Sequence, residues 1–258
     1  MRKPRCFSNI IMREINRTFG YDNINMLKLT IKYPIVTINN NPIAERKINA
    51  QIRTQVNEYF RYVSNTLYEQ AISGYMDSLK NNYPFHGYEA YMEYTITYND
   101  NCFLSLYTDK YEFTGGAHGN TVRTSNTWEL CTGENIYLYC FFKPNTDYKL
   151  LLTDEIIRRA EKNLTDNPGI YFDDYKDLII KNFNPDSFYL SPGGITIYYQ
   201  QYDIAPYSTG IVEFTIPYCI IGWYPSCWTI TKRDGYSEPG KLVRNALFSV
   251  YKNDILLL

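Results

Sequence analysis

Apolar and polar residues alternate along Leu27-Lys28-Leu29-Thr30-Ile31-Lys32-Tyr33, the period-two pattern of a half-buried strand. Pro34 interrupts it and points to a sheet edge or a bulge. Asn39-Asn40-Asn41-Pro42 is a turn whose proline suits the first turn of a helix. The period then lengthens. Ile48, Ile52, Val56, Tyr59, Val63 and Leu67 recur at intervals of four and three, one face of a long helix. Gly74 weakens that helix, and Asn81-Asn82-Tyr83-Pro84 ends it. Period two returns over 88–98, with Tyr88, Ala90, Met92, Tyr94, Ile96 and Tyr98 expected on one face. A hairpin turn at Asn99-Asp100-Asn101 leads into a return strand over 102–113. A third strand over 121–130 stops at Thr132-Gly133. These elements predict an antiparallel meander packed on the long helix.

The second half uses the same vocabulary. Ile156, Ala160 and Leu164 lie four apart in an expected helix over 146–164, and a shorter helix is expected over 173–182. Phe188-Tyr189-Leu190, 195–203 and 211–216 are expected strands. Pro192-Gly193-Gly194 and Ala205-Pro206-Tyr207 separate them. A helix followed by antiparallel strands, twice, predicts an α+β fold: antiparallel sheets packed against one long helix and shorter helices, in two sequential subdomains. The expected divisions are an N-terminal extension over 1–26, modules over 27–143 and 144–218, and an atypical C-terminal extension over 219–258.

Charge narrows the function. The 26 Lys and Arg balance 27 Asp and Glu, which lacks the basic footprint of a nucleic-acid binder. No apolar run approaches the roughly 18 residues of a membrane span. The apolar stretch Ile10-Ile11-Met12 is too short for a signal peptide, so a cytoplasmic protein is expected, or an extracytoplasmic one if the chain is a trimmed piece. Two histidines and no Cys-x-x-Cys leave no expected metal centre and no cofactor. The six cysteines are expected to be mostly thiols, with Cys219 and Cys227, which flank Gly222 and Pro225, as the pair to test for a disulfide.

The 27 tyrosines have two readings. Asn, Ile, Lys and Tyr are abundant together, as an AT-rich coding bias would produce. Tyrosine also supplies rigid contact area with a polar tip, as a binding face would need. No nucleophile elbow, zinc-protease motif, phosphate loop or dinucleotide fingerprint occurs. The densest feature is Tyr111-Glu112-Phe113-Thr114-Gly115-Gly116-Ala117-His118-Gly119-Asn120, where three glycines in five residues permit close backbone approach. His118 is either the polar handle of a binding or catalytic loop, or a residue that hydrogen-bonds the backbone. Asp203, before Ala205-Pro206-Tyr207, is either a general base or a carboxylate that caps a turn.

These features carry a resemblance. Lys32-Tyr33-Pro34, Lys47-Ile48-Asn49, Leu104-Ser105-Leu106, Tyr111 with Thr114-Gly115-Gly116-Ala117-His118-Gly119, and Leu130-Cys131-Thr132-Gly133 resemble the DUF4163 module. Phe188-Tyr189-Leu190, Ile195-Thr196-Ile197-Tyr198-Tyr199, Ile204-Ala205-Pro206-Tyr207 with Gly210, and Ile216-Pro217-Tyr218 resemble the DUF3298 module that follows it. The pair is known from RsiV-like anti-sigma factors and from PdaC-like peptidoglycan deacetylases. In the former it binds lysozyme outside the cell, and in the latter the chemistry belongs to a separate domain. The resemblance therefore implies a non-enzymatic binding module for a lysozyme-like protein or a cell-wall glycan. The candidate ligand-binding residues are Tyr111, Thr114, Gly115, Gly116, His118, Asn120, Asp203 and Tyr207, with no catalytic residue assigned. The alternatives are a hydrolase that pairs His118 with Asp203 or Glu112, and a structural or stress-related protein. The segment Trp223-Tyr224-Pro225-Ser226-Cys227-Trp228 has no counterpart in the resemblance.

Overall fold

A computed structural model describes residues 6–227. The first sheet has the order β1 (Ser8–Tyr21), β2 (Ile24–Ile38), β3 (Tyr88–Asp100), β4 (Phe103–Phe113), β5 (Asn120–Glu129) and β6 (Glu134–Asn135). All neighbours are antiparallel except β2 and β3, which run parallel from Leu27↔Tyr88 to Lys32↔Glu93. A parallel pair needs a crossover, and the long helix supplies it. β1 occupies most of the expected N-terminal extension and pairs with β2 along its whole length. Most of its side chains are exposed on both faces, so the sequence there carries no period-two signal.

The helix starts where the Asn41 side chain accepts the Ala44 N–H at 3.3 Å, with Pro42 in its first turn. α1 (Pro42–Tyr62) continues through one π-helical turn at Val63–Leu67 into α2 (Tyr68–Asn81). The wide turn keeps Val63, Leu67 and Ala71, each four apart, buried against the sheet. Asn82 ends the helix in the left-handed region at φ 55°, and its N–H donates to the Ser78 carbonyl. Gly74 has its own reason: a Cβ there would sit 3.1 Å from the Tyr88 hydroxyl.

The buried helix face meets Leu27, Leu29 and Ile31 of β2, Ala90, Met92 and Tyr94 of β3, Leu104 and Leu106 of β4, and Trp128 of β5. Burial of large apolar side chains on this one seam is the main source of stability. Asn49 couples helix to sheet beyond the last β2–β3 pair, Lys32↔Glu93. Its amide accepts the Val36 N–H at 2.9 Å and donates to the Val36 carbonyl at 2.6 Å, replacing a strand partner. Pro34 is tolerated nearby because β3 pairs with β2 only as far as Lys32.

One expected face is corrected. A bulge between Ile96 and Tyr98 shifts the β3–β4 register, so Ile96 opposes Leu106 while Tyr98 opposes Ser105. Tyr98 therefore points away from the helix, opposite to Tyr94.

The second sheet, β7 (Phe188–Ser191), β8 (Gly194–Tyr199) and β9 (Val212–Pro217), is antiparallel and packs through β7 on β3, β4 and β5. α3 (Tyr148–Asp166) and α4 (Tyr175–Lys181) complete that half, with α3 capped by the Asp147 carboxylate on the Leu150 N–H at 3.1 Å. Arg123 of β5 is buried between the sheets. It holds both Asp109 oxygens at 2.7 Å, contacts Glu213 of β9, and lies 3.6 Å from the Tyr107 ring centroid.

Cys219 and Cys227, the pair to test for a disulfide, are not bridged. Cys227 bonds Cys102, 125 residues away, with Cα atoms 5.1 Å apart, while Cys219 is exposed and free. The proximity comes from the folded sheet, which the spacing of cysteines along the chain does not encode. Among the described residues, no helix is long and apolar enough to cross a membrane.

Candidate functional site

The strand ladder separates the sequence-predicted site residues. Glu112 pairs with Asn120 at the open end of β4 and β5, and Tyr111 pairs with Thr121. Alternation then sends Asn120 and Glu112 to the helix side and Tyr111 to the side of the second sheet. The loop between them is pinned by the second half of the chain. The His118 ring stacks on the Tyr207 ring at 3.8 Å and 20°. His118 Nδ1 lies 3.2 Å from the Gly119 carbonyl, to which the Tyr207 hydroxyl also donates at 2.9 Å. Gly119 has no room for a side chain, since a Cβ would fall 2.3 Å from the Tyr111 ring. Gly115 adopts φ +86° beside His86, whereas Gly116 and Ala117 are open to solvent on the outer turn.

Asp203 serves a turn. Its carboxylate accepts the Gln200 N–H at 2.7 Å, and burial pushes its pKa up despite that bond. The turn aims two glutamines at the exposed edge of β5. Gln201 accepts the Thr121 N–H at 2.8 Å. Gln200 accepts the Arg123 N–H at 2.9 Å and donates to the Arg123 carbonyl at 2.7 Å. Among the described residues, no carboxylate lies within hydrogen-bond distance of His118. The stacked His118–Tyr207 pair and the Asp203 turn thus join the two halves of the chain.

Two grooves open on the helix side, where the sheet and the helix diverge. The first, about 330 Å³, is lined by Glu58, Tyr59, Tyr62, Lys110, Glu112, Asn120 and Val122. The Tyr62 hydroxyl donates to Glu112 at 3.0 Å, and its ring stacks on Tyr59 at 6.2 Å. Lys110 Nζ sits 5.5 Å from the Tyr59 ring centroid. Burial lowers the Lys110 pKa against the opposing pull of Glu58 and Glu112, and burial and Glu112 together raise that of Tyr62. Tyr62 and Val122 are 38% and 46% exposed, so an apolar side chain and a ring edge face solvent there. The second groove, about 340 Å³, is lined by Tyr83, Phe85, His86, Tyr88, Thr114 and Gly115, with Gly74 at its base. Thr114 and Gly115 thus belong to one groove and Asn120 to the other.

No pattern along the chain marks His86, which folding places beside the glycine loop although it is 29 positions from Gly115. Tyr62 had a readable signal: an aromatic on the polar face of an amphipathic helix, three residues beyond a buried tyrosine.

Residues 22–121 match a family model described as "Deacetylase PdaC", and residues 141–219 match one described as "Protein of unknown function (DUF3298)". The crystal structure of a DUF3298 family member from Bacteroides fragilis NCTC 9343 is similar over 83% of this chain and 92% of its own, at 24% identity and a TM-score of 0.57. A DUF3298 family protein from Pseudomonas aeruginosa PAO1 is similar over 85% and 94%, at 20% identity and a TM-score of 0.54. At these identities the likeness establishes the fold. No curated protein matches the chain. The first matched segment ends just past the glycine–histidine loop, at the start of β5, and the unmatched stretch 122–140 holds the rest of β5 together with β6.

Proposed function

We propose that this chain is a non-enzymatic binding module, and that it holds a cell-wall glycan in the groove lined by Tyr59, Tyr62, Lys110, Glu112 and Asn120. The observation that carries the proposal is the composition and place of that groove. It presents an exposed tyrosine ring, an apolar side chain, two carboxylates, an ammonium and an amide, within a volume that suits one or two sugar rings. It lies on the opposite side of the sheet from Tyr111, and among the described residues His118 stacks on Tyr207 with no acid in hydrogen-bond reach to polarise it. On this reading the first half is a DUF4163-type module and the second a DUF3298 module, as in RsiV-like and PdaC-like proteins. The resemblance to the accessory region of peptidoglycan deacetylases makes an acetylated amino-sugar polymer the first ligand to test. That ligand places the module outside the cytoplasm.

Co-sedimentation with purified insoluble peptidoglycan tests the proposal, with a lysozyme-like protein measured in parallel. The wild-type chain is expected to pellet with the glycan and leave it chemically unchanged. Tyr62→Ala is expected to weaken binding by about 10–30-fold, the equivalent of ~1.5–2 kcal/mol. Glycan turnover lost in His118→Ala would establish the hydrolase alternative. Tight binding of the lysozyme-like protein with none of the glycan would move the function to protein recognition.

A further inference from the structure

Four cysteines from distant parts of the chain converge at the end of the first sheet opposite the glycine–histidine loop. The sulfurs of Cys6, Cys102 and Cys131 all lie within 4.8 Å of one another, and Cys227 is bonded to Cys102. Cys6 precedes β1, Cys102 sits in the β3–β4 turn, Cys131 follows β5, and Cys227 follows the last short helix at Tyr218–Ile221. A disulfide needs two sulfurs, and four are gathered here. Three of the four belong to segments fixed by the sheet, and Cys6 and Cys102 are 8% and 1% exposed.

Cys102 occupies an unfavourable position. The two-residue turn Asn101-Cys102 has φ of 49° and 68°, the geometry that selects asparagine and then glycine. A cysteine in the second position is retained at a backbone cost, which indicates a use for its sulfur. The Cys6 N–H also donates to Cys102 Sγ at 3.3 Å. Backbone N–H groups aimed at sulfur are the outer-shell contacts that support a metal-bound thiolate.

We propose that the reduced form of this cluster is a zinc site, with Cys6, Cys102, Cys131 and Cys227 as its four thiolate ligands. Tetrahedral coordination at about 2.3 Å per bond sets sulfurs about 3.8 Å apart, inside the 4.8 Å that bounds the Cys6, Cys102 and Cys131 sulfurs, while Cys227 moves away from Cys102 once their bond is reduced. Four sulfurs with no nitrogen or oxygen donor select zinc over harder cations. A dithiol reductant cleaves the Cys102–Cys227 bond. It delivers two electrons and two protons to the two sulfurs and is itself oxidised to a disulfide. Zn²⁺ then displaces the four thiol protons, which leave to solvent. The chain is synthesised in a reducing compartment, where the bond has not yet formed. In that setting zinc holds the start of β1, the β3–β4 turn, the end of β5 and Cys227 together, a role the disulfide takes over in part on oxidation.

The test is anaerobic titration of the fully reduced, full-length chain with Co²⁺, followed by displacement with Zn²⁺. Six thiols are confirmed by labelling beforehand, and helix content is followed by circular dichroism. One equivalent of Co²⁺ is expected to give the visible bands of tetrahedral four-sulfur coordination, lost on adding Zn²⁺. Cys6→Ser and Cys131→Ser are expected to weaken binding at least about tenfold and to change the bands, while Cys219→Ser leaves both unchanged. A reduced, folded chain without tetrahedral bands would overturn the proposal. So would bands that Cys6→Ser and Cys131→Ser leave intact, or a reduced chain that unfolds and stays unfolded with either metal.

Discussion

Replacing Arg123 with methionine removes the one buried guanidinium described between the two sheets, and the structure sets the size of the effect. The Arg123 side chain is 9% exposed, and its partners Asp109 and Glu213 are 29% and 40% exposed. Breaking a fully buried pair typically costs about 3–5 kcal/mol, because the surviving charge is stranded. Here both carboxylates can turn partly to water, which lowers that penalty. The lost contact with the Tyr107 ring, at 3.6 Å, restores about 1–2 kcal/mol of it. Methionine keeps the apolar stem in place. The expected loss is about 3 kcal/mol, or roughly 6–12 °C in Tm for a domain of this size. Arg123→Lys keeps the charge without the two-pronged bond to Asp109 and should fall about midway. Thermal unfolding followed by circular dichroism, with the disulfide intact in all variants, measures both. A coupling energy near 1 kcal/mol or more is expected in a double-mutant cycle with Asp109→Asn. A Tm change under about 2 °C for Arg123→Met, or no coupling, would refute the claim that this cluster locks the sheets together.

Other outcomes follow from the same structure. Gly194→Ala should destabilise by about 2 kcal/mol or more, since its Cβ would fall 2.1 Å from the Ile216 carbonyl oxygen, whereas Gly116→Ala, with nothing within 4 Å, should stay within about 0.5 kcal/mol; urea unfolding of the two variants checks this. Asp203 has a raised folded-state pKa, so its contribution is complete below the unfolded aspartate pKa and is lost as pH rises through the folded value. The Tm difference between wild type and Asp203→Asn should therefore move in favour of the variant from acid toward neutral pH, and a flat difference would contradict the burial that raises the pKa. Cys227→Ser should lower stability by up to about 5 kcal/mol under oxidising conditions, the loop-closure limit for so long a loop; no loss in a denaturant titration would mean that the Cys102–Cys227 bond constrains nothing.

The α+β class, the long helix and most strands were legible because each buries a single face. Ile48, Ile52, Val56, Tyr59, Val63 and Leu67 keep helical spacing, and every one is buried. β1 was not legible, since an edge hairpin strand exposed on both faces leaves no alternation to read. The parallel pairing of β2 and β3 was missed because pairing direction is a property of the connection rather than of either strand. The bulge after Ile96 was invisible for a related reason: the pattern continues in apolar character through Tyr98 while the register slips.

Of the residues lining the groove proposed as the binding site, the sequence singles out Asn120 as a ligand candidate and Glu112 only as a partner for His118, because the rest are brought together from separate helix and strand faces by the fold. The loop at 114–119 and the Ala205-Pro206-Tyr207 turn stood out separately, and the fold stacks His118 of one on Tyr207 of the other. The tyrosine excess also resolves into particular jobs. Many hydroxyls are tied to backbone carbonyls, as in Tyr199 to Ile179 at 3.0 Å, Tyr218 to Ser191 at 2.7 Å and Tyr68 to Gly20 at 2.7 Å. Tyr189 and Tyr198 pack on each other and around Arg123. Tyr62 and Tyr83 remain exposed at the two grooves, which narrows an aromatic surface to a few rings.

The most direct measurement is tyrosine-selective NMR of the full chain titrated with a soluble peptidoglycan oligosaccharide. Ring resonances are assigned by Tyr→Phe substitution. The account predicts saturable shifts at Tyr62 and Tyr59, with Tyr189 and Tyr198 between the sheets unmoved. Saturable shifts centred on Tyr207 and Tyr111, or none at any tyrosine at glycan concentrations that bind the chain, would contradict it.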